Sequence, residues 1–165
     1  MHHAGTTVLA LGAERTAYTN SETKERKPMK VLLDEGAYLP ERAHSTDAGL
    51  DLRSRETVMI WPGAAVTFDT GVHILFDPGT WGKIESKSGL NVNHSVVSCG
   101  GVIDEGYTGE IRVRLYNLGR EAYTVCAGDK IAQLIILPYL TPKIEQVTEL
   151  DETERGSSGF GSTGR

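Results

Sequence analysis

The stretch Gly101-Val102-Ile103-Asp104-Glu105-Gly106-Tyr107-Thr108-Gly109-Glu110 decides how the rest of the chain is read. Val102 and Ile103 lead into a turn-rich centre, and a β-compatible run, Ile111 to Leu115, leads out of it. Apolar β-formers on both sides of a glycine-rich loop read as a hairpin of strand, tight loop and strand. Gly100, Gly101, Gly106 and Gly109 permit positive φ and let a ligand approach the backbone closely. Between them stand the carboxylate of Asp104 and the ring of Tyr107. That combination can hold a nucleoside and activate a water. Taken alone, the same residues also make a plain hairpin whose Asp and Gly serve only the turn.

Outward from this loop the chain reads as short strands. Its 165 residues suggest one domain, and 39% hydrophobic content with 19 glycines and six prolines favours an all-β architecture rich in turns. Strands are expected at Lys30 to Leu33, Ala48 to Arg53, Thr57 to Trp61, Ala65 to Phe68, Gly71 to Phe76 and Trp81 to Glu85. Further strands are expected at His94 to Ser98, Ile111 to Tyr116, Ala122 to Val125, Lys130 to Leu137 and Ile144 to Val147. Pro62-Gly63, Asp77-Pro78-Gly79, Asn117-Leu118-Gly119 and Ala127-Gly128-Asp129 punctuate them. Such spacing implies a sandwich, jelly roll or barrel, with a single helical turn or two near Ser88 to Val92.

Residues 1–28 read as a flexible extension, 29–147 as the β core and 148–165 as a C-terminal arm. The extension ends in the charged, proline-terminated run Ser21 to Pro28, and its three glutamates suit a transit peptide poorly. Net charge of −5 excludes bulk electrostatic binding of nucleic acid, so an anionic small substrate needs local basic residues or a bridging metal. Cys99 and Cys126 have no metal-ligand spacing and are expected as buried free thiols of a reducing compartment. The five histidines are scattered, and no apolar run approaches a membrane span, so a soluble intracellular protein is expected. The arm, Arg155-Gly156-Ser157-Ser158-Gly159-Phe160-Gly161-Ser162-Thr163-Gly164-Arg165, has two readings. One is a flexible terminus. The other is a closing segment in which Phe160 stacks on a base while arginine, hydroxyl and glycine N–H groups bind phosphate.

Five stretches in order sharpen the reading: Ala48-Gly49-Leu50-Asp51-Leu52, Lys87-Ser88-Gly89-Leu90, the loop Gly101 to Glu110, Gly128-Asp129-Lys130-Ile131-Ala132-Gln133-Leu134, and the arm. This succession resembles the five motifs of the trimeric dUTP diphosphatase (dUTPase) family over residues 29 to 165. The resemblance implies a jelly-roll-like antiparallel β-barrel, a homotrimer with sites between subunits, and Mg²⁺-dependent hydrolysis of dUTP to dUMP and pyrophosphate. It further implies that Asp104 deprotonates a water for in-line attack on the α-phosphorus. Tyr107 would pack under the deoxyribose, and backbone groups including those of Gly101 and Ile103 would meet the uracil edge. Ser88 and Gly89 would bind phosphate, and Gln133 the α-phosphate region. Asp51 would hold waters of a Mg²⁺ carried by the triphosphate, although alone it also reads as a β-edge turn residue. Arg155, Gly161, Ser162 and Thr163 would clamp the phosphates, and Phe160 would cover the base. The arm would be mobile when empty and would close a neighbouring subunit's site.

Lys87 departs from the family's usual arginine before Ser-Gly. It has two available roles: a point-charge contact to phosphate, or a salt bridge behind the site that fixes the Ser88-Gly89 turn. A dCTP deaminase shares the fold, but would need a catalytic glutamate and a different loop. The alternative from another class is a nucleotide-dependent protein-binding module, with the extension as the obvious place for an added partner.

Overall fold

Among residues 28–157, which the computed structural model describes, eleven strands and one short helix follow one another in chain order. They are β1 (Lys30–Leu33), β2 (Gly49–Arg53), β3 (Val58–Ile60), β4 (Ala65–Asp69), β5 (Val72–Leu75) and β6 (Thr80–Ser86), then α1 (Ser88–His94). β7 (Val96–Ser98), β8 (Val102–Ile103), β9 (Arg112–Asn117), β10 (Tyr123–Val125) and β11 (Lys130–Pro138) complete the order. Every strand pairing is antiparallel. The strands form a four-stranded sheet β2-β11-β6-β8, a three-stranded sheet β4-β9-β7 and two pairs, β1-β5 and β10-β3. This is the all-β, antiparallel, jelly-roll-like architecture expected from the sequence. No helix among the described residues is long and apolar enough to cross a membrane.

Period-two alternation places the core. In β9, Arg112 and Arg114 point out while Val113 and Leu115 are buried, and in β2 Leu50 and Leu52 turn inward. They meet Phe68, Val72, Ile74, Phe76, Ile84 and Leu134 in one apolar cluster. Asn117 is fully buried, yet its side chain is satisfied: Nδ2 donates to the Ile60 and Glu121 carbonyls at 2.8 Å, and Oδ1 accepts from Gly119 N–H at 2.9 Å. The helix falls where the sequence put it and runs two residues further, to His94. There Ser95 takes a left-handed conformation (φ 54°) and donates to the Asn91 carbonyl at 3.0 Å.

Three expectations are corrected. The flanks of the 104–110 loop do not pair with each other as a hairpin. β8 pairs with β6, whereas β9 pairs with β4 and β7. Gly100 and Gly101, at φ 81° and 110°, turn the chain so that the Gly101 carbonyl accepts from Ile84 N–H at 2.8 Å and β8 lies along β6. At the other flank buried Ile111 donates to the Val72 carbonyl at 2.8 Å, which aims β9 at the second sheet. The loop therefore bridges two sheets. Second, Ile144 to Val147 is not a strand: β11 ends at Pro138, and 139–157 contains no strand and is exposed throughout. Third, Cys99 and Cys126 are exposed free thiols, because both lie just past strand ends whose inward positions go to Val96 and Val125. Residues 1–27 of the expected extension lie outside the described residues.

Gly101 carries the geometry that sets this loop. A Cβ there would overlap the Ile84 Cβ and stand 2.9 Å from its Cγ1 and 3.3 Å from its backbone Cα, whereas one at Gly100 would meet nothing within 4 Å. Gly101→Ala is therefore expected to lose about 2–3 kcal/mol and Gly100→Ala only about 1 kcal/mol, the strain of a left-handed alanine. Urea unfolding of both variants checks this, and equal losses would contradict the steric account.

Candidate active site

Strand β11 is the spine of one half of the site. Its register sets Gln133 opposite Asp51 of β2 on one side and opposite Glu85 of β6 on the other. Gly49 makes room for the Gln133 side chain, since a Cβ at Gly49 would come within 2.5 Å of Gln133 Oε1. Gln133 Nε2 donates to the Ser86 carbonyl at 3.3 Å, next to Lys87. The register shifts between Lys130 and Ala132, a β-bulge. It lets Ile131 and Ala132 both enter the core and returns Lys130 to the Asp51 face.

Alternation turns Asp51 away from the core that Leu50 and Leu52 enter, yet Asp51 is only 6% exposed. Two lysines cover it. Lys87 Nζ lies 2.5 Å from Oδ1 and Lys130 Nζ 2.6 Å from Oδ2. Burial pushes the Asp51 carboxyl up, but the hydrogen bonds and charges of Lys130 and Lys87 outweigh it and hold the group below its ordinary value. The carboxylate is thus ionised, and each oxygen keeps a lone pair for a further donor such as a metal-bound water. The trio's net charge is +1, which repels a bare cation and attracts a triphosphate. No cluster of three or more His, Cys, Asp or Glu among the described residues could hold a metal ion. These donors fit a Mg²⁺ that keeps its waters and comes with a nucleotide, and do not fit an all-protein cage. Ser88 and Gly89, both exposed, open α1 ahead of its first i→i−4 bond, Asn91 N–H to the Lys87 carbonyl at 3.0 Å.

The other half is the loop after β8. Gly101, Val102, Ile103, Asp104, Tyr107, Glu110 and Arg112 line a cleft of about 250 Å³. Asp104 is exposed, and its carbonyl accepts from Tyr107 N–H at 3.0 Å, closing a turn. The Tyr107 hydroxyl donates to the Glu110 carbonyl at 2.9 Å, and its ring occupies the space a Cβ at Gly109 would need. The Thr108 carbonyl lies 3.1 Å from His73 Nδ1. A carbonyl only accepts, so that contact requires the proton on Nδ1.

Within one chain these halves stay apart. Asp104 follows Ile103, which pairs with Gly82, whereas Gln133 pairs with Glu85 two strands away. A rise of ~3.3 Å per residue and a strand spacing of ~4.8 Å put their backbones on the order of 15 Å apart. Asp51, Lys87, Ser88, Gly89 and Gln133 come together, as do Gly101, Ile103, Asp104 and Tyr107, but the two sets do not. Arg155 is exposed. Phe160, Gly161, Ser162 and Thr163 lie outside the described residues. Sequence reasoning missed Lys130 as a partner of Asp51, because only the bulge aims it there. It also missed Glu105, whose carboxylate accepts from Gly79 N–H and from the Tyr139 hydroxyl, each at 2.7 Å.

The lysine clamp makes a signed prediction. Stability from Asp51 is present above about pH 4, its unfolded range, and is lost as pH falls through the lower folded value. The double variant Lys87→Met, Lys130→Met leaves burial unopposed. It is expected to lose about 2–3 kcal/mol at pH 7, less than a fully buried pair because the lysines are 27% and 37% exposed. The gap to the parent should begin to close above about pH 4, as the variant's raised Asp51 takes a proton, and go on closing until pH passes the parent's lowered value. Thermal unfolding from pH 7 to pH 3 reads it, and a gap that stays constant would contradict the clamp.

Comparison with known proteins places the chain in a family. The dUTPase family profile matches residues 35–164. A deoxyuridine 5'-triphosphate nucleotidohydrolase of Clostridium novyi (strain NT) is 46% identical over 141 residues, covering 82% of this chain and 99% of the relative. The solved dUTPase of Staphylococcus bacteriophage 80alpha with dUPNHPP is 32% identical at a TM-score of 0.79, covering 84% of this chain and 99% of that one. A dUTPase variant from phage phi11 of S. aureus, solved to detail the coordination of a structural Mg(II) ion, is 33% identical at a TM-score of 0.69. It covers 74% of this chain and 97% of its own. With its five motifs in order on the matching antiparallel fold, the chain belongs to the dUTPase family.

Proposed function

We propose that this chain hydrolyses dUTP to dUMP and pyrophosphate, keeping uracil out of DNA and supplying dUMP for thymidylate synthesis. The observation that carries the reading is the narrow cleft in which Asp104 and Tyr107 flank the backbone of Gly101 and Ile103. A base entering along that backbone meets fixed N–H and C=O groups, which can tell uracil O4 and N3–H from the cytosine edge. The Tyr107 ring is pinned by Glu110 and Gly109, and with its flat face against the sugar it would exclude a 2′-hydroxyl. Asp104 then takes the proton of a water aligned with the α-phosphorus.

The phosphates belong to the other half. Ser88 and Gly89 donate to them and Gln133 approaches the α-phosphate, while Arg155, Gly161, Ser162 and Thr163 hold the distal end and Phe160 covers the base. Lys87, 2.5 Å from Asp51, is the support that fixes the Ser88-Gly89 turn. Mg²⁺, when bound, would neutralise phosphate charge, with Asp51 the residue to hold its water. Asp104 and Gln133 must both reach one α-phosphate, which their separation within a chain forbids. That separation supports reading the working enzyme as a homotrimer in which Asp104 and Tyr107 of one subunit face Asp51, Ser88 and Gln133 of another. The segment 139–157 supports this reading, since Leu140, Ile144 and Leu150 are 91%, 98% and 86% exposed on the single chain. Such apolar side chains are suited to cover by a neighbour, along the segment that leads into a C-terminal arm (148–165) reaching the next site. The protein-binding alternative draws no support from a particular described residue, whereas Asp51, Asp104, Tyr107 and Gln133 each have a role in the proposed reading.

Asp104→Asn is expected to bind a non-hydrolysable dUTP analogue as the parent does and to lose roughly 10²-fold or more in kcat, the scale of removing a general base. Pyrophosphate release and analogue titration are measured separately. Turnover near the parental rate would remove Asp104 from its role.

A further inference from the structure

Glu105 sits beside Asp104 but behaves differently. One of its oxygens, Oε2, accepts from Gly79 N–H and from the Tyr139 hydroxyl, both at 2.7 Å. Three separate pieces of chain meet on that atom. Gly79 lies in the turn before β6, where its φ of 79° suits glycine. Tyr139 is the first residue after β11, and its own N–H donates to the Gly79 carbonyl at 3.2 Å. The third piece is the 104–110 loop itself. Cavities lie on both sides of this junction. One of about 340 Å³ is lined by Trp81, Val102, Asp104, Glu105, Gly106 and Tyr139. Another of about 540 Å³ runs past Leu75, Pro78, Glu105 and Gly106. A loop segment flanked by open space is not held by packing, and Gly106 adds no side chain to brace it. The hydrogen bonds of Glu105 tie this side of the loop to Gly79 and Tyr139, beside the turn that Tyr107 N–H closes on the Asp104 carbonyl.

We propose that Glu105 is a positioning residue for hydrolysis: by tying the loop to Gly79 and Tyr139 it sets the direction from which Asp104 meets its water. This rests on the reading of Asp104 as the base. The Tyr139 hydroxyl, and then Gly79 N–H, hold the Glu105 carboxyl below its ordinary value, and Glu105 in turn pushes the Tyr139 hydroxyl up. Glu105 is thus an ionised acceptor at neutral pH. What the geometry uses is the acceptor oxygen, which a glutamine amide also offers.

The test compares Glu105→Ala, Glu105→Gln and Tyr139→Phe by steady-state kinetics on dUTP and by thermal unfolding. Glu105→Ala is expected to lose about tenfold in kcat with KM within about twofold, since small misplacements of a reacting group cost rate rather than ground-state binding. Glu105→Gln should recover most of that rate, and Tyr139→Phe, which removes one of two donors, should lose a few-fold in kcat. Parental kcat in Glu105→Ala would overturn the proposal, as would a glutamine variant no better than alanine, which would make charge and not position the cause. If Glu105→Ala does not fold, Tyr139→Phe decides, and an unchanged kcat there overturns the proposal. Failure of the underlying reading is separate: it would show as turnover in Asp104→Asn, whatever the Glu105 variants do.

Discussion

The antiparallel register of β6 between β11 and β8 is the constraint on which the rest of the molecule depends. On one side it sets Glu85 and Ser86 against Gln133 and Ala132, which brings Lys87 and the start of α1 to the groups around Asp51. On the other it pairs only Gly82 and Lys83 with Ile103 and Val102, so Asp104 leaves the sheet near the opposite end of the same strand. The group around Asp51 and Gln133 and the loop carrying Asp104 thus sit on one ladder with their backbones on the order of 15 Å apart. Strand geometry does not bend enough to bring them together. This separation supports the proposal that the site is composed between copies.

Electrostatics completes the phosphate half. Asp51 is a buried carboxylate in a chain of net charge −5, a poor place for a polyanion unless the local sign is reversed. Lys87 and Lys130 reverse it, and their hydrogen bonds keep Asp51 charged against the desolvation that would neutralise it. The arrangement also gives the Lys87 substitution a physical meaning. A single ammonium reaches one carboxylate oxygen while Lys130 takes the other, so the two lysines together engage both oxygens, as one bidentate arginine can do alone.

Much of this was legible in the sequence. Short runs between turn signals located β2, β6, β9 and β11, a turn or two of helix was expected near Ser88 to Val92, and the order of five stretches pointed to the family. What was hidden depended on tertiary pairing. Lys130 lies one residue from a bulge, and without knowing the register no periodicity assigns it to the Asp51 face. The loop at Gly101 read as a hairpin because apolar runs flank it, but two left-handed glycines and the Ile84 bond send β8 to β6 instead. Ile144 to Val147 carries a strand-like composition but forms no strand among the described residues. Glu105 received no role from the sequence because its two donors, Gly79 and Tyr139, are 26 and 34 residues away.

Subunit complementation tests the central claim most directly. Asp104→Asn and Gln133→Ala disable opposite halves, so each protein alone should turn dUTP over slowly. When the two are unfolded together and refolded as a mixture, some sites pair an intact Asp104 loop with an intact Gln133 from a neighbouring copy. Random assembly in equal amounts makes about one site in four of that kind, and turnover should rise to about a quarter of the parental rate. If the mixture stays as slow as its components while forming mixed oligomers, the two halves act within a single chain, and the account of the site is wrong.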